Sequence, residues 1–321
     1  MAANTRIVQF DRIRTWTLRF ELAALARINL RVPQPETNAI NAATRLCAVF
    51  GSPIRQSASP AMHNAAFAAL GLNWRYVAFE VDPKNLRAAI AGVKAMNFAG
   101  INLTVPHKLL AVDMVDHLDA SAKKWGAVNT IIFNEQGSTG FNTDADAIIT
   151  SLREDLKVEV RGTKVLLLGA GGAGRTTALK LATENVAELF LVNRTASKAV
   201  EIGEEIKKQF PSVKVSVGYP KSNVDLILNA TSLGLKADDS SPLDESQFSL
   251  RQAGAVYDMI YRPVETALLS AAKISGCKTS NGLGMLLHQG AKAFEIWTGK
   301  PAPLAVMRRA LEENIYGIGS K

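Results

Sequence analysis

The sequence predicts two α/β domains, the second built around a doubly wound parallel sheet. A chain of 321 residues has room for two domains of about 150 residues each. Short apolar runs alternate with helical segments along most of its length, which is typical of α/β architecture. A glycine-rich turn follows one of these runs near the middle of the chain, where we expect the second sheet to begin.

The composition is that of an ordinary globular protein, with 47% hydrophobic and 21% charged residues. No apolar run approaches the roughly 18 residues needed to cross a bilayer, so we expect no membrane partner. Cys47 and Cys277 are too few for a disulfide framework, and four scattered histidines give no zinc pattern. These features indicate a reducing, cytoplasmic location and no metal site.

The net charge of +8 is dispersed along the chain. Residues 1–44 hold six arginines against three acidic residues, which leaves +5 for the remainder. That remainder has no block of like charge and no basic stripe interleaved with aromatic residues, which argues against a nucleic-acid partner. A weak positive field suits an enzyme that acts on anionic small molecules.

Residues 1–44 form a leader that differs in character from the rest of the chain. The segment lacks the compact apolar run of a secretory signal, but it is arginine-rich and acid-poor, as organellar transit peptides are. We favour a partly helical appendage, or extra residues that come from an upstream start codon.

The predicted first domain covers residues 45–145. Its predicted strands, bounded by prolines, glycines and turn residues, are 46–50, 74–80, 100–104 and 127–133. The predicted helices are 60–70 and 83–95. Ser59 would be the N-cap of the first helix and Pro60 its first residue, and a turn is expected at 134–137.

The predicted second domain covers residues 146–282. Residues 164–168 are a continuous apolar run, as expected for a parallel strand covered on both faces. The further predicted strands are 188–192, 224–229 and 255–259, and the helices are 175–184 and 196–209. Two more helices are predicted after this domain, at 283–297 and 303–314. The alternation within the second domain predicts a Rossmann-like sheet.

A glycine-rich loop joins the strand at 164–168 to the next helix, and it consists of Gly169, Ala170, Gly171, Gly172, Ala173 and Gly174. In the G-x-G-x-x-G pattern the first glycine permits a tight turn, the second lets backbone approach a pyrophosphate, and the third lets helix pack on strand. The helix N-terminus offers N–H groups to phosphate. This context predicts a dinucleotide site; the alternative is a turn with only a packing role.

The residues after the second strand of this domain distinguish the two nicotinamide cofactors. An NAD site carries an acidic residue there for the ribose 2′-hydroxyl. Here the chain has Asn193, Arg194 and Thr195, with Lys198 one turn further on. Two cations without a carboxylate favour a 2′-phosphate and therefore NADP, and the Arg194 guanidinium can also stack on adenine. The alternative is a solvated pair of cations at a helix start.

Polar residues in the first domain are candidates for the chemistry. Lys108 follows a strand–proline break, and a carboxylate such as Asp144 could orient it as an acid–base group. The alternatives are a solvated lysine at a helix start and an aspartate N-cap. Ser57 and Ser59, at the start of a helix, could hold a carboxylate. Ser59 could equally be a simple helix cap.

Nine segments together resemble the shikimate dehydrogenase family over roughly residues 46–316. They are SASP (57–60), INLTVPHK (101–108), GAVNT (126–130), NTD (142–144), GAGGAGR (169–175), NRT (193–195), NATSLG (229–234), YDMIY (257–261) and GLGMLLHQ (282–289). The resemblance implies an N-terminal substrate-binding domain, completed by C-terminal helices within 283–321, and a Rossmann-like NADP-binding domain across a cleft. It also implies NADPH-dependent reduction of 3-dehydroshikimate to shikimate in aromatic amino-acid biosynthesis.

The resemblance further implies roles for individual side chains. Ser57 and Ser59 would bind the substrate carboxylate, and Lys108 would transfer a proton with Asp144 as its partner. The ring hydroxyls would be bound by Asn102, Thr104, Asn129, Asp144 and Gln289, with Tyr261 near the substrate. The nicotinamide would lie against Thr231, Met259 and Gly282. The adenine and its 2′-phosphate would lie against Asn193, Arg194 and Lys198.

Two alternatives stay open at this point. One is a quinate/shikimate dehydrogenase that uses NAD or NADP; Ser59 and the absence of an acidic residue at Asn193 count against it. The other is a non-catalytic, cofactor-binding relative; the presence of Lys108, Asp144 and Gln289 together counts against it. The sequence does not decide the oligomeric state, and a homodimer is among the alternatives.

Overall fold

A computed structural model describes residues 40–236 and 238–317. The leader predicted at 1–44 lies almost entirely outside the described residues. The described part contains two six-stranded sheets with helices packed on them, which confirms the predicted fold class. Its helices are all too short or too polar to cross a membrane.

The first sheet is mixed. Its strands are β1 (Arg45–Gly51), β2 (Trp74–Glu80), β3 (Gly100–Leu103), β4 (His117–Leu118), β5 (Thr130–Asn134) and β6 (Gly137–Phe141). They lie in the order β2-β1-β3-β5-β6-β4. β1 is parallel to β2 and β3, whereas β5 is antiparallel to β3 and β6. The predicted turn is confirmed as the β5–β6 hairpin, in which Asn134 pairs with Gly137.

The helices that follow these strands are α1 (Ser59–Ala69), α2 (Leu86–Ala95), α3 (His107–Leu110), α4 (Ala120–Trp125) and α5 (Asp144–Leu156). Short 3₁₀ turns at Pro83–Asn85 and Ala111–Met114 lie beside α2 and α3. β3 is buried at every residue, so the segment that carries Lys108 begins from a fixed position.

The second sheet is parallel throughout. Its strands are β7 (Lys164–Leu168), β8 (Glu188–Val192), β9 (Lys214–Val217), β10 (Val224–Asn229), β11 (Ala253–Asp258) and β12 (Lys278–Ser280). They lie in the order β12-β11-β10-β7-β8-β9, so the winding direction reverses between β7 and β10. The helices of this part are α6 (Gly172–Thr183), α7 (Ala196–Gln209) and α8 (Ala267–Ile274), with a 3₁₀ turn at Leu250–Gln252. In such sheets, ligands bind at the carboxyl ends of the strands beside the reversal.

The last two helices are α9 (Leu283–Thr298) and α10 (Leu304–Tyr316). They pack against the first sheet. Phe294 of α9 stacks on Phe67 of α1 with ring centroids 5.4 Å apart. The Trp297 Nε1–H donates to the Ile131 carbonyl on β5 at 3.0 Å. Burying these aromatic rings favours the return of the chain to the first sheet.

α5 connects the two sheets. Asp144 at its first turn lies beside α3 of the first sheet, where it contacts Lys108. Further along, the Ser151 hydroxyl and the Tyr257 hydroxyl of β11 form a buried hydrogen bond of 2.7 Å. The helix is therefore held by both halves of the chain.

Several predicted boundaries are wrong. Ser59 is the first residue of α1 and not its N-cap; the cap position is Ala58, and the Ser59 N–H donates to the Ser57 hydroxyl at 3.4 Å. The helix predicted at 83–95 begins as a 3₁₀ turn capped by the Asp82 carboxylate, and α2 starts only at Leu86.

Two further differences come from local backbone hydrogen bonds. The strand predicted at 127–133 starts at Thr130, because the Val128 N–H donates to the Lys108 carbonyl, outside the sheet. The helix predicted at 175–184 starts at Gly172, because the Arg175 N–H already donates to the Gly171 carbonyl.

Candidate active site

Lys108 and Asp144 form a close ion pair. Lys108 lies on α3, directly after the break at Pro106, and Asp144 is the first residue of α5. The Lys108 Nζ is 2.7 Å from the Asp144 Oδ2. The side chains are 15% and 3% exposed, so the pair is largely desolvated. The alternative of a solvated Lys108 is wrong.

Asp144 is fixed by its neighbours and does not cap α5. The cap position is Thr143, and the Asn142 Oδ1 accepts the Asp144 and Ala145 N–H groups at 3.1 and 3.2 Å. This leaves the Asp144 carboxylate for other partners, so the alternative of an aspartate N-cap is wrong. Its Oδ1 accepts a hydrogen bond of 2.9 Å from the Asn129 Nδ2 while its Oδ2 faces Lys108.

Asn129 is the centre of a buried polar network. Its Oδ1 accepts the Thr143 N–H at 2.8 Å and the Thr130 hydroxyl at 3.1 Å. Its carbonyl accepts from the Asn102 Nδ2 at 3.1 Å. Every partner fixes the amide in one orientation, so the side chain that contacts Asp144 is preorganised.

Gln289 joins this network from α9. The Thr143 hydroxyl donates to the Gln289 carbonyl at 3.0 Å, and the Gln289 Oε1 is 3.5 Å from the Asn129 Nδ2. The Gln289 Nε2 donates to the Leu286 carbonyl of its own helix at 2.8 Å. A residue 160 positions from Asn129 is thus brought to the same cluster.

Tyr76 is a site residue that sequence reasoning missed. Its hydroxyl donates to the Asn102 Oδ1 at 2.7 Å. The Asn102 Nδ2 also donates to the Thr130 hydroxyl at 2.9 Å. Tyr76 is fully buried, and burial raises the pKa of its hydroxyl. Its position in an apolar strand gave no sign of this role.

The two serines lie at the start of α1 beside two tyrosines. Ser57 and the Ala58 backbone lie beside the Tyr261 hydroxyl, and burial raises the pKa of Tyr261. Ser59 lies beside the Tyr76 hydroxyl. The serine hydroxyls therefore lie where a ligand carboxylate could accept hydrogen bonds from them.

Thr104 lies between β3 and α3, at the approach to Lys108. Its N–H donates to the Phe50 carbonyl at 2.9 Å, and its own carbonyl accepts from the His107 N–H at 2.8 Å. These bonds set the backbone that turns from β3 into α3. The side chain is partly exposed, so its hydroxyl can reach a ligand.

His63 lies buried behind this cluster. Its ring stacks on Tyr76 with centroids 4.3 Å apart. Neither ring nitrogen has a hydrogen-bond partner among the described residues. Burial lowers the pKa of His63 to about 3, so the imidazole is neutral in the folded protein.

We expect His63 to make the protein less stable in acid. Its pKa is lower in the folded state than the ordinary value of 6.5. The stability present above pH 6.5 is therefore lost as the pH falls toward 3, by up to about 1.4 kcal/mol per pH unit. His63→Leu should remove this part of the loss. Urea unfolding at pH 7.5 and 4.5 measures it.

The control for this prediction is His117→Leu, which removes an exposed imidazole. Its loss of unfolding free energy between the two pH values should match that of the wild type. An equal loss in the wild type and in His63→Leu would contradict the prediction.

The glycine loop has the geometry that a phosphate requires. Gly169 has φ of +106°, and a Cβ on Gly174 would overlap the Gly169 carbonyl, so both positions need glycine. Gly171 is exposed, with open space where its Cβ would point. It precedes α6 without a side-chain cap, which leaves the N–H groups of the first turn, from Gly172 to Gly174, for an anion.

The loop is connected to the end of β8. The Asn193 Oδ1 accepts the Ala170 N–H at 3.0 Å, and the Asn193 Nδ2 donates to the Thr195 carbonyl at 2.8 Å. Arg194 and Lys198 are exposed at the start of α7. A helix N-terminus with two exposed cations and an oriented amide fits a dinucleotide that carries a 2′-phosphate.

The other predicted cofactor residues follow β10, β11 and β12 at the carboxyl edge of the second sheet. The Thr231 hydroxyl donates to the Asn229 Oδ1 at 2.7 Å. The Met259 N–H donates to the Asn229 carbonyl at 3.0 Å, and the Gly282 N–H donates to the Ile260 carbonyl at 3.2 Å. A Cβ placed on Gly169 would lie 3.0 Å from the Thr231 backbone nitrogen, so this edge of the sheet lies beside the glycine loop.

Sequence reasoning also missed Asn229 and Asp258, which support that edge. The Asn229 Nδ2 donates to the Asp258 Oδ1 at 2.9 Å, and the Thr266 hydroxyl donates to the Asp258 Oδ2 at 2.7 Å. Burial raises the pKa of Asp258. Both residues belong to the segments NATSLG and YDMIY, which was the available signal.

The glycine loop and the ion pair are neighbours. A Cβ placed on Gly172 would lie 3.4 Å from the Lys108 Cβ and 3.7 Å from the Leu109 Cγ. A dinucleotide held by the loop would therefore extend toward the ion pair of Lys108 and Asp144. This arrangement defines an NAD(P)-dependent oxidoreductase.

Comparisons with known proteins identify the family. Residues 49–131 match the shikimate dehydrogenase substrate binding domain, 151–234 match shikimate / quinate 5-dehydrogenase, and 282–312 match the shikimate 5′-dehydrogenase C-terminal domain. The shikimate dehydrogenase (NADP(+)) of Methanopyrus kandleri is 39% identical over 283 residues, which cover 86% of this chain and 98% of that protein. The chain belongs to the shikimate dehydrogenase family.

Solved structures agree with this assignment. A crystal structure of a shikimate dehydrogenase in complex with NADP+ has a TM-score of 0.78 at 39% identity, over 86% of this chain and 98% of that one. The shikimate 5-dehydrogenase of Thermus thermophilus, in complex with NADP(H) and shikimate, has a TM-score of 0.74 at 35% identity. That match covers 84% of this chain and 99% of the other.

Proposed function

We propose that this chain catalyses the NADPH-dependent reduction of 3-dehydroshikimate to shikimate, a step of aromatic amino-acid biosynthesis. The observation that carries the proposal is the buried pair of Lys108 and Asp144, 2.7 Å apart, which lies against the glycine loop. The identity of the substrate is inferred from membership of the shikimate dehydrogenase family. A cytoplasmic location is part of the proposal, and the buried free thiols of Cys47 and Cys277 are consistent with a reducing compartment.

Lys108 supplies the proton in this reaction. Bound NADPH provides a hydride to the ketone carbon. The Lys108 ammonium donates its proton to the ketone oxygen as negative charge develops there, and it recovers a proton from solvent. In the reverse direction the neutral amine accepts the proton of the hydroxyl. Asp144, itself held by Asn129, keeps the lysine nitrogen in position.

The remaining polar groups hold the substrate. Ser57 and Ser59 bind its carboxylate, with Tyr261 beside Ser57. The ring hydroxyls lie against Asn102, Thr104, Asn129, Asp144 and Gln289. Four of these five residues, Thr104 excepted, belong to one hydrogen-bonded cluster, so the ring hydroxyls meet a preorganised surface.

The second sheet holds the cofactor. The loop from Gly169 to Gly174 would hold the pyrophosphate, and Arg194 and Lys198 would hold the 2′-phosphate. Asn193 and Thr195 shape the adenosine pocket through their mutual hydrogen bond. Thr231, Met259 and Gly282 line the nicotinamide end.

A reduction assay tests the proposed function. Purified full-length protein is mixed with 3-dehydroshikimate and NADPH, and cofactor oxidation is followed by absorbance. In the reverse direction, shikimate and quinate are compared with NADP and with NAD. We expect the highest kcat/KM for shikimate with NADP. A preference for quinate with NAD would instead assign the quinate/shikimate alternative, and absence of turnover would favour the non-catalytic one.

The division into domains extends the proposal. Residues 45–145 together with helices within 283–321 form the substrate-binding domain, and residues 146–282 form the NADP-binding domain. The packing of Trp297 on the first sheet supports the inclusion of the C-terminal helices.

Sedimentation analysis of the purified protein distinguishes a monomer from a homodimer.

A further inference from the structure

Tyr76 reaches the substrate site from behind, on β2. Its hydroxyl donates to the Asn102 Oδ1 at 2.7 Å, and the Ser59 side chain lies beside it. A phenol carries one proton, and that proton goes to Asn102. In any hydrogen bond between Ser59 and Tyr76, the serine hydroxyl is therefore the donor. One buried hydroxyl thus joins the serine of the carboxylate site to the asparagine of the ring-hydroxyl site.

The hydrogen bonds of Asn102 leave it only one way to meet a ligand. Both Nδ2 hydrogens are used within the protein, by the Asn129 carbonyl at 3.1 Å and the Thr130 hydroxyl at 2.9 Å. The Oδ1 accepts from Tyr76 and keeps a second lone pair. Asn102 can therefore only accept a hydrogen bond from a ring hydroxyl, through the oxygen that Tyr76 holds.

Tyr76 itself has little freedom. Its N–H donates to the Asn64 Oδ1 at 2.8 Å, and its carbonyl accepts from the Asn64 Nδ2 at 2.9 Å. Its ring is stacked on His63, and the Trp297 ring lies tilted beside it, with the two ring centroids 6.0 Å apart. A hydroxyl held this firmly can set the position of its partners without loss of side-chain entropy on binding.

We propose that Tyr76 is a positioning residue for substrate binding. It fixes the Asn102 Oδ1 as the acceptor for a ring hydroxyl, and it holds the Ser59 hydroxyl until a substrate carboxylate takes that hydrogen bond. Tyr76 thereby links recognition of the two ends of one small polyhydroxylated acid. This inference rests on the proposed function.

The test is Tyr76→Phe in the full-length protein, which keeps the stacked ring and removes only the hydroxyl. We expect the KM for shikimate to rise about 10-fold, as for loss of one buried hydrogen bond, while kcat and the KM for NADP stay within about twofold of the wild type. Such a split between the KM values identifies lost substrate binding, which a general structural defect would not produce.

The matched control is Tyr257→Phe. Tyr257 is also fully buried, and its hydroxyl bonds to Ser151 at 2.7 Å, but it lies on the second sheet away from Asn102. This variant shows the effect of losing a buried tyrosine hydroxyl as such. Its KM for shikimate should stay near the wild-type value, and thermal unfolding is recorded for both variants.

A second measurement uses the partners of Tyr76. In an Asn102→Ala background, Tyr76→Phe should raise the KM for shikimate by much less than in the wild type. If Tyr76→Phe does not fold, Ser59→Ala and Asn102→Ala are compared singly and together. Non-additive effects on the KM then support the link through Tyr76, and additive effects overturn it.

The outcomes separate the inference from the proposed function. A wild type that does not reduce 3-dehydroshikimate refutes the proposed function. An active wild type with an unchanged KM for shikimate in Tyr76→Phe overturns only the role of Tyr76. Equal rises in the KM for shikimate and for NADP would also overturn it, because they indicate a structural role.

Discussion

We expect Lys108→Ala to lower kcat for shikimate oxidation by about 10³-fold, the usual effect of removing a general acid–base group. The Lys108 Nζ is the proton-transfer group in the proposed mechanism, and its 2.7 Å bond to Asp144 holds it in place. The proposed cofactor site lies on the second sheet, so the dissociation constant for NADPH should stay within about twofold of the wild-type value. Steady-state kinetics and a fluorescence titration with NADPH measure the two effects.

Two further variants sharpen this experiment. Asp144→Asn keeps the shape of the side chain but removes its charge, so kcat should fall by at least about 10-fold through loss of lysine orientation. Lys94→Ala is the control: it breaks an ion pair of the same 2.7 Å length, with Asp116, between side chains that are 44% and 49% exposed. Turnover of Lys108→Ala equal to that of Lys94→Ala would show that Lys108 is not the proton donor.

The second large effect is on cofactor choice. We expect Arg194→Ala to raise the KM for NADP about 10- to 100-fold, because a charged hydrogen bond to a phosphate contributes about 1.5–3 kcal/mol. The KM for NAD should change little, because NAD has no 2′-phosphate. Values of kcat/KM with both cofactors, at saturating shikimate, show whether the preference for NADP collapses.

Arg161→Ala is the matched control for this prediction. Arg161 is also exposed, but it precedes β7 and so lies at the amino end of the second sheet, whereas Arg194 follows the carboxyl end of β8. Removing it costs the same formal charge without touching the predicted phosphate site. An equal rise in the KM for NADP in both variants would assign the effect to net charge and not to a specific contact.

The second sheet was predictable from sequence because its strands are covered on both faces. Residues 188–192, 224–229 and the helix at 196–209 have the predicted bounds, since continuous apolar runs and a clear helical period mark them. The edge strand β9 was missed. Its residues are largely exposed and carry no apolar run, so only pairing with β8 makes it a strand.

α5 was missed for a different reason. Its buried residues include Ile148, Leu152 and Leu156 at helical spacing. However, its first turn holds two aspartates, and only two polar residues separate it from a glycine-containing strand. A local pattern of this kind is typical of a loop. The burial of Asp144 is decided by its contacts with Lys108 and Asn129, which no local pattern contains.

The candidate site was only partly predictable. Lys108 and Asp144 are 36 positions apart, and spacing alone left them as two residues with ordinary alternatives. The resemblance to the shikimate dehydrogenase family predicted that the two residues act as a pair, and the structure shows that they are in contact. Tyr76 had no such signal, because it acts through Asn102, 26 positions away on a neighbouring part of the sheet.

The position of α5 sets a rule for building chimeras from members of this family. The proposed domain boundary at residue 146 falls inside the helix, after Asp144 but before Ser151, which bonds to Tyr257 of the second sheet. A crossover at that point would take the Asp144 carboxylate from one parent and the Ser151 anchor of its helix from another. Grafts that exchange cofactor modules should therefore transfer α5 whole, from residue 142 onward, so that the carboxylate and its anchor stay matched.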